Sequence, residues 1–184
     1  MTDELQEKII WQNINSSKDR GKILTGKIIA IETEKMKDAD ITCVIVNFKG
    51  IKVLIPATEV ATDFKNNKKL LRNMMGAEIK FIIIETDKIS SKAVGSRIKA
   101  MERIREINIK KVEVGDKIYA KVIGVWRKFI RIECLGTDFV VKAQDLLDDS
   151  FKNIRKDFTE KGEYFATITG YMDNRHICKC STRC

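Results

Sequence analysis

The strongest constraint on the fold of this chain is that its sequence repeats itself. Residues 21–32 read GKILTGKIIAIE, and they align without gaps on residues 115–126, which read GDKIYAKVIGVW, at an offset of 94 positions. Residues 44–60 align in the same way on residues 130–146, at an offset of 86 positions. Internal similarity at a fixed offset is the signature of a duplicated structural unit.

A third block extends the duplication towards the C-terminus. Residues 76–97 align on residues 162–183 at the offset of 86, and they end in VGSR in the first copy and CSTR in the second. The offset drops from 94 to 86 after the first block, which predicts a loop eight residues longer in the first copy, around residues 34–40. Three blocks in the same order with one insertion indicate two homologous domains.

Each copy has the pattern of a small β-rich domain, with short runs of Ile and Val bounded by Gly or by Asp-Lys. The predicted strands of the first copy cover residues 23–32, 42–48, 52–56, 78–86 and 93–98. Between the third and fourth strands, residues 58–75 carry apolar side chains near helical spacing, which predicts a helix. The order β-β-β-α-β-β is that of the OB-fold, a small Greek-key barrel that often binds oligonucleotides. We therefore predict an all-β protein with minor helices: two tandem five-stranded OB-fold barrels, each with a helix between strands three and four, plus a short N-terminal helix.

The aligned blocks also predict the domain boundaries. An N-terminal helix occupies residues 1–17, the first OB-fold domain residues 18–99, a basic linker residues 100–112 and the second OB-fold domain residues 113–184.

The N-terminal segment has the apolar spacing of an amphipathic helix. The residues expected on its apolar side are Leu5, Ile9, Ile10 and Ile14. We expect Trp11 to pack this helix onto the first barrel, because an aromatic ring buries a large apolar area. Stacking of Trp11 on a nucleic-acid base is the alternative.

The charge and the cysteine content of the chain indicate which class of partner it binds and in which cellular compartment it is found. Lys and Arg outnumber Asp and Glu by 35 to 26, which gives a formal net charge of +9 and favours a polyanionic partner. The longest apolar runs are too short to span a membrane, and Asp3 and Glu4 stand where a secretory signal would carry basic residues. Five cysteines without a pairing framework favour a reducing, cytoplasmic location.

The sequence contains no motif typical of an enzyme, and we predict that the protein is not one. It has no nucleophile elbow, phosphate loop or paired-His motif, and its single His leaves little scope for general-base catalysis. Residues 176–184 hold that His and three Cys, but a Cys-x-Cys spacing does not match structural zinc sites. We therefore expect neither a metal nor a cofactor.

Three motifs, in order, resemble a known family. Residues 54–59 read LIPATE, which is similar to a third-strand signature GFIPAS that leads into the helix. Residues 76–79 and 83–87 read GAEI and IIETD, similar to a fourth strand that starts with Gly-Asp and ends at an Asp turn. Residues 94–97, VGSR, are similar to the closing Leu-Ser-Arg of the fifth strand. The chain, apart from its N-terminal helix and linker, resembles the S-one-type RNA-binding domains, the OB-fold repeats of the largest bacterial small-subunit ribosomal protein.

The resemblance implies that single-stranded RNA binds across strands two, three and five, with aromatic rings stacking on bases and cations holding phosphates. In the second copy, strand alternation is expected to put Phe129 and Arg131 on one exposed face and to turn Ile130 and Ile132 into the barrel. The nucleic-acid-binding residues implied for this copy are Trp126, Arg127, Lys128, Phe129, Arg131, Lys142 and Arg183.

The first copy departs from the family pattern. Asp40 and Cys43 stand at the places of the two aromatic residues, so this copy offers mainly charge. Its candidate nucleic-acid-binding residues are Lys35, Lys37, Lys52 and Arg97. Ordinary solvation is an equal alternative for any single surface Lys.

These observations predict a cytoplasmic RNA-binding protein that acts in translation or RNA metabolism, with the ribosome as one candidate partner and no membrane. Single-stranded DNA is an alternative ligand, because stacking and phosphate contacts do not read the sugar. The alternative from another class is a ribosome- or protein-docking module in which one or both barrels have lost nucleic-acid binding. The missing aromatic residues favour that alternative for the first barrel.

Overall fold

The computed structural model describes residues 3–36, 39–64, 68–142, 163–172 and 177–181. The chain divides into two units, Met1–Ala100 and Met101–Cys184. Both units are built mainly of β-strands.

The first unit is a helix followed by a closed five-stranded barrel. Its strands are β1 (Leu24–Met36), β2 (Ala39–Phe48), β3 (Ile51–Pro56), β4 (Glu78–Asp87) and β5 (Lys92–Ser96). They pair in the order β1-β2-β3-β5-β4, and β4 returns to β1 to close the barrel. All neighbours are antiparallel except β3 and β5. Phe81 is fully buried, and Phe48 meets its ring edge-on at a centroid distance of 6.2 Å.

The helices of the first unit differ from the prediction. The N-terminal helix α1 is longer than expected and covers Asp3–Arg20. Between β3 and β4 the chain forms two short helices, α2 (Ala57–Val60) and α3 (Lys68–Arg72), instead of one. The turn Asn73–Gly76 after α3 ends at Gly76, which has a positive φ of 83°.

Helix α1 packs on β4 through a face that the apolar pattern only partly predicts. Trp11, Ile14 and Ser17 are buried, whereas Leu5 and Ile9 are exposed. The Ser17 hydroxyl accepts a hydrogen bond of 2.9 Å from the backbone N–H of Ile83. Since the β1–β4 ladder begins only at the pair Leu24 and Phe81, Ser17 satisfies a β4 donor that β1 does not reach. The expected packing of Trp11 is thus confirmed, with Ile14 and Ser17 completing the contact.

The sequence predicts a loop for the eight extra residues of the first copy, but in the structure they lengthen a β-hairpin. The β1–β2 ladder continues without a break from Glu32 opposite Cys43 to Met36 opposite Ala39. A ladder satisfies the backbone donors and acceptors that a loop of this length would expose to water.

The second unit contains a five-stranded sheet, and the helix before it begins in the last residues of the first unit. Helix α4 covers Arg97–Asn108 and is followed by a single 3₁₀ turn, Ile109–Lys111. The strands are β6 (Lys117–Val125), β7 (Phe129–Cys134), β8 (Thr137–Lys142), β9 (Glu163–Met172) and β10 (Ile177–Ser181). They pair in the order β10-β9-β6-β7-β8. Among the described residues β8 and β10 share no ladder, so this sheet differs from the first by being open there. The predicted helix between its third and fourth strands falls at residues 143–162, outside the described residues.

The two sheets share the pairing of their first three strands. In β1 and β2, Ile28 lies opposite Val46, and in β6 and β7 the equivalent pair is Val122 and Ile132. Each ladder then has a bulge at the same place, directly after Ile28 in one and Val122 in the other. These pairs reproduce the offsets of 94 and 86 seen in the sequence.

The tight turn after the second strand is also repeated. Lys49 and Gly50 have φ values of 53° and 96°, and their counterparts Leu135 and Gly136 have φ values of 49° and 80°. Two successive residues with positive φ form the type of turn that suits a two-residue β-hairpin, and Gly is favoured there because it has no Cβ.

The third block of the sequence alignment is wrong by one residue. Opposite Leu24 the first sheet has Phe81, and opposite its counterpart Ile118 the second sheet has Ala166, so β9 matches β4 at an offset of 85. The bulge in the ladder with the last strand gives the same offset of 85. Residue 84 of β4 is left out of the ladder in the first sheet, and residue 169 of β9 is left out in the second. A shift of one residue exchanges the inward and outward faces of a strand.

Candidate nucleic-acid interface

The β6–β7 hairpin ends in a pair of stacked aromatic rings. The backbone N–H of Trp126 donates a hydrogen bond of 2.9 Å to the carbonyl of Phe129, which closes the hairpin around Arg127 and Lys128. The two rings stack with centroids 4.8 Å apart and planes inclined by 13°. Trp126 is only 7% exposed, whereas Phe129 is half-buried. Phe129 therefore presents the accessible part of the pair, and Trp126 supports it.

Three exposed cations are neighbours of Phe129 along the chain or across the ladder. Arg127 and Lys128 occupy the tip of the hairpin, and Lys142 lies directly across the β7–β8 ladder from Phe129. Cross-strand neighbours have Cβ atoms about 5 Å apart. Of the residues predicted for the second copy, the structure brings together Phe129, Arg127, Lys128 and Lys142. An aromatic ring with cations nearby can bind a nucleotide, because the ring stacks on the base and the cations attract the phosphate.

Arg131 lies apart from this group because it is buried. Its exposed fraction is 5%, and its Nη1 donates a hydrogen bond of 3.1 Å to Oδ2 of Asp138. Ile130 and Ile132 point into the core as expected, so the direction of Arg131 agrees with strand alternation and only its exposure was wrong. Alternation sets the direction of a side chain, but the surroundings of that face decide its contact with water.

The equivalent face of the first unit is occupied by apolar side chains. Cys43 and Ile45 of β2 and Leu54 of β3 form a buried cluster, on which Ala30, Met36 and Ile41 pack. Because Val44 and Val46 are buried as well, β2 is covered on both faces. None of these six side chains is aromatic, in agreement with the presence of Asp40 and Cys43 at the places of the two aromatic residues.

Lys52, a predicted cation of this face, is held by two carboxylates. Its Nζ lies 2.5 Å from Oε2 of Glu32 and 2.7 Å from Oε1 of Glu34. The hydrogen bonds from Glu32 and Glu34 raise the pKa of Lys52, and the hydrogen bond from Lys52 lowers the pKa of Glu34. The three side chains together carry one net negative charge, and the charge of Lys92, which lies opposite Lys52 on β5, also lowers the pKa of Glu34. Lys52 is therefore a paired cation and not a free one.

The charges of Glu32, Glu34 and Lys52 also affect the pKa of the Cys43 thiol. Burial raises the pKa of Cys43 to about 11, and Glu34 adds to the increase. Cys43 is therefore an unreactive, neutral side chain of the apolar cluster.

The remaining predicted residues are not gathered into one site. Arg97 is 2% exposed, and its Nη1 donates a hydrogen bond of 3.2 Å to the carbonyl of Val60. Lys35 is exposed near the end of the long hairpin. Lys37 and Arg183 lie outside the described residues.

Sequence reasoning missed an exposed aromatic pair on the second sheet. Tyr119 of β6 and Phe165 of β9 lie directly opposite each other, with ring centroids 4.7 Å apart. At the predicted offset of 86, Phe165 matches Ile79, which is buried, whereas the ladders match it to Lys80. The signal that could have found the pair is the alternation around Tyr119, whose neighbours Ile118 and Ala120 are apolar.

Within the described residues, there is no cluster of three or more His, Cys, Asp or Glu side chains that could hold a metal ion. The side chains of residues 176–184, where the sequence raised a metal site, lie outside that part of the chain. No helix of the described ranges is both long and apolar enough to cross a bilayer.

Comparison with known proteins finds similarity among solved structures. No protein-family model and no curated protein sequence matches the chain. The chain is similar to a crystal structure from Streptococcus pneumoniae TIGR4 of a multidomain protein with nucleic acid binding domains, at 13% sequence identity and a TM-score of 0.41. The match covers 91% of this chain and 53% of the other, so the chain spans about half the length of that protein.

Proposed function

We propose that this chain is a non-enzymatic protein that binds single-stranded RNA through the second of two OB-fold units. The strand order β1-β2-β3-β5-β4 of the closed barrel supports the OB-fold, as does the repetition of its first ladders in the second sheet. The resemblance of residues 54–59, 76–87 and 94–97 to S-one-type domains supports RNA as the ligand and translation or RNA metabolism as the setting.

The observation that carries the proposal is the position of Phe129 among exposed cations. Its ring rests on the buried Trp126, so it is held in place before a ligand arrives. A base stacked on such a ring gains about 1–3 kcal/mol without being identified. Arg127, Lys128 and Lys142 can each neutralise a phosphate, which releases counterions and makes the affinity depend on salt.

The first unit has a different role in this proposal. Its corresponding face is filled by the cluster of Cys43, Ile45 and Leu54, and Lys52 is neutralised by its carboxylate partners. Both the stacking ring and the free cation of that face are thus replaced by internal contacts. A docking role for this unit, on the ribosome or on another protein, is the second candidate, and it is favoured by the loss of these two features.

The test is a titration of a fluorescein-labelled 12-nucleotide oligouridine, with the DNA oligothymidine and an RNA duplex as competitors, at about 50 and 200 mM salt. We expect the single strands to bind more tightly than the duplex, and the affinity to fall steeply with salt.

Two matched variants, one in each unit, show which unit binds the oligonucleotide. Lys142→Gln should lower the affinity and reduce the salt slope by about one ion, whereas Lys52→Gln should leave both unchanged. Equal losses in the two variants would show that both units bind the RNA and would contradict the assignment to the second unit. An affinity that does not depend on salt would contradict the proposal as a whole and favour the docking role for both units.

A further inference from the structure

We infer that Tyr119 and Phe165 form a second contact site for single-stranded nucleic acid, separate from the hairpin around Phe129. This inference takes its ligand class from the proposed function, but it depends on other residues and another pair of strands.

The two rings face away from the core of the second sheet. Ile118, Ala120 and Ala166, the neighbours of Tyr119 and Phe165 along their strands, belong to the apolar core. Alternation therefore turns both rings outward. Tyr119 is 68% exposed and Phe165 is 52% exposed, so neither ring is covered by described parts of the chain.

Their mutual arrangement leaves a surface on which a base can stack. The rings are held as a direct cross-strand pair, with planes inclined by 35° and centroids 4.7 Å apart. A pair fixed in this way loses little conformational freedom on binding, and ordered aromatic rings bind bases of any identity. The same pair can also stabilise the sheet as a cross-strand contact, but that role does not require rings that remain more than half exposed.

An exposed cation beside the pair matches a polyanionic ligand. Lys117 stands two residues before Tyr119 on β6, and therefore on the same face, about 7 Å away along the strand. Lys117 is exposed, and its partner across the ladder is Thr167, which adds a hydroxyl group. Lys121, two residues after Tyr119, lies opposite Glu133 and Glu163 in its two ladders, and these two acidic residues offset its charge. Exposed aromatic rings with a cation at one end match the base and the phosphate of a single strand.

This site is distinct from the hairpin site. Tyr119 lies on β6 seven residues before Trp126, which directly follows that strand, and seven extended residues span about 23 Å. Its ladder partner is β9, whereas Phe129 pairs with β8. A short oligonucleotide should therefore occupy one site at a time.

The counterparts in the first unit supply a natural comparison. In the same register, Tyr119 and Phe165 correspond to Thr25 and Lys80, which pair with each other between β1 and β4. A Tyr119→Thr change therefore substitutes a residue that the same ladder position already accommodates in this chain.

The test counts how many molecules of a uridine tetranucleotide bind to each full-length variant by native mass spectrometry. We expect two per chain for the parent, one for Tyr119→Leu/Phe165→Leu, one for Tyr119→Thr/Phe165→Leu and one for Phe129→Leu. Val114→Ala, which alters another exposed apolar residue, should keep two. Thermal melting verifies that each variant is folded.

The outcomes separate the two sites. If the Tyr119/Phe165 variants still bind as many tetranucleotides as the parent, the pair serves the sheet or a protein partner and the inference is wrong. If Phe129→Leu leaves the count unchanged while the Tyr119/Phe165 variants lower it, the inference stands and the proposed hairpin site is wrong. A parent that binds no tetranucleotide at all contradicts both.

Discussion

Trp126 and Phe129 stack on each other across the tip of a hairpin, and their counterparts in the first unit, Glu32 and Cys43, are also a direct cross-strand pair. In the first unit the ladder continues beyond this pair for four more residue pairs, whereas in the second unit the hairpin ends there. The same position is thus the middle of a strand in one unit and an exposed tip in the other. This difference moves an aromatic ring to the surface, where a ligand can reach it.

The first prediction concerns Phe129. Phe129→Ala should lower the affinity for single-stranded oligouridine by about 1–3 kcal/mol, the usual contribution of one stacked base. Because the ring also covers the buried Trp126, the melting temperature should fall as well. Fluorescence anisotropy and thermal melting measure the two effects.

Phe129→Leu separates the two effects, because it keeps apolar cover over Trp126 and removes only the aromatic face. It should lose affinity while melting close to the parent. Cys43→Ala, the matched change in the first unit, should bind like the parent. Parent-like binding by Phe129→Leu would mean that the ring does not stack on a base.

The second prediction compares the effects of replacing a buried arginine, Arg131, and an exposed one, Arg127, on stability and on RNA binding. Arg131→Met removes the partner that lies 3.1 Å from Asp138, whose side chain is 16% exposed. Removal of one member of a fully buried ion pair costs about 3–5 kcal/mol of folding free energy, so we expect a loss near the lower end of that range. Arg127→Met removes an exposed cation at the hairpin tip, so it should melt like the parent and reduce the salt slope of RNA binding by about one ion. Urea unfolding and titrations at two salt concentrations would test the pair; similar stabilities of the two variants would contradict the burial of Arg131.

The third prediction compares the two equivalent turn glycines. Both have positive φ, so replacement by Ala should cost about 1 kcal/mol at either position. At Gly50 an added Cβ has nothing within 4 Å, but at Gly136 it would lie 2.3 Å from the carbonyl oxygen of Met101 and 2.6 Å from the backbone nitrogen of Arg105. Gly136→Ala should therefore lower the melting temperature clearly more than Gly50→Ala. Equal decreases would show that helix α4 does not pack against this turn.

The fourth prediction concerns pH. Folding raises the pKa of Cys43 from 9.0 to about 11, so the folded state keeps a proton that the unfolded state loses first. The stabilisation that Cys43 contributes is therefore complete below about pH 9 and lost as the pH rises towards about 11. Denaturant unfolding between these limits should show a steeper loss of stability in the parent than in Cys43→Ala. At pH 8, iodoacetamide should leave Cys43 unmodified in the folded protein, and rapid alkylation there would contradict its burial.

Much of the fold could be predicted from local patterns. The strands of the first unit begin and end within a few residues of the predicted bounds, because runs of Ile and Val with alternating exposure favour strands and Gly50 and Gly136 favour tight turns. The alignment of the first two blocks also predicts the pairing of Ile28 with Val46 and of Val122 with Ile132, since matching positions in a duplicated sequence adopt matching registers.

The site could be predicted only in part. The sequence indicated Phe129 and its neighbouring cations, and it showed that the first copy has no aromatic residue at that place. Strand alternation also gave the correct direction for Arg131. It did not reveal the ion pair with Asp138, because an exposed fraction depends on what the rest of the chain packs against that face.

Tertiary structure alone decided the remaining features. Lys52 of β3 forms ion pairs with Glu32 and Glu34 of β1, and no local sequence pattern predicts such a contact. The register of β9 is set by its ladders and its bulge, and it differs by one residue from the sequence alignment. A side-chain period of two makes that single residue the difference between the core and the surface, and it is the reason that Tyr119 and Phe165 meet on the outer face.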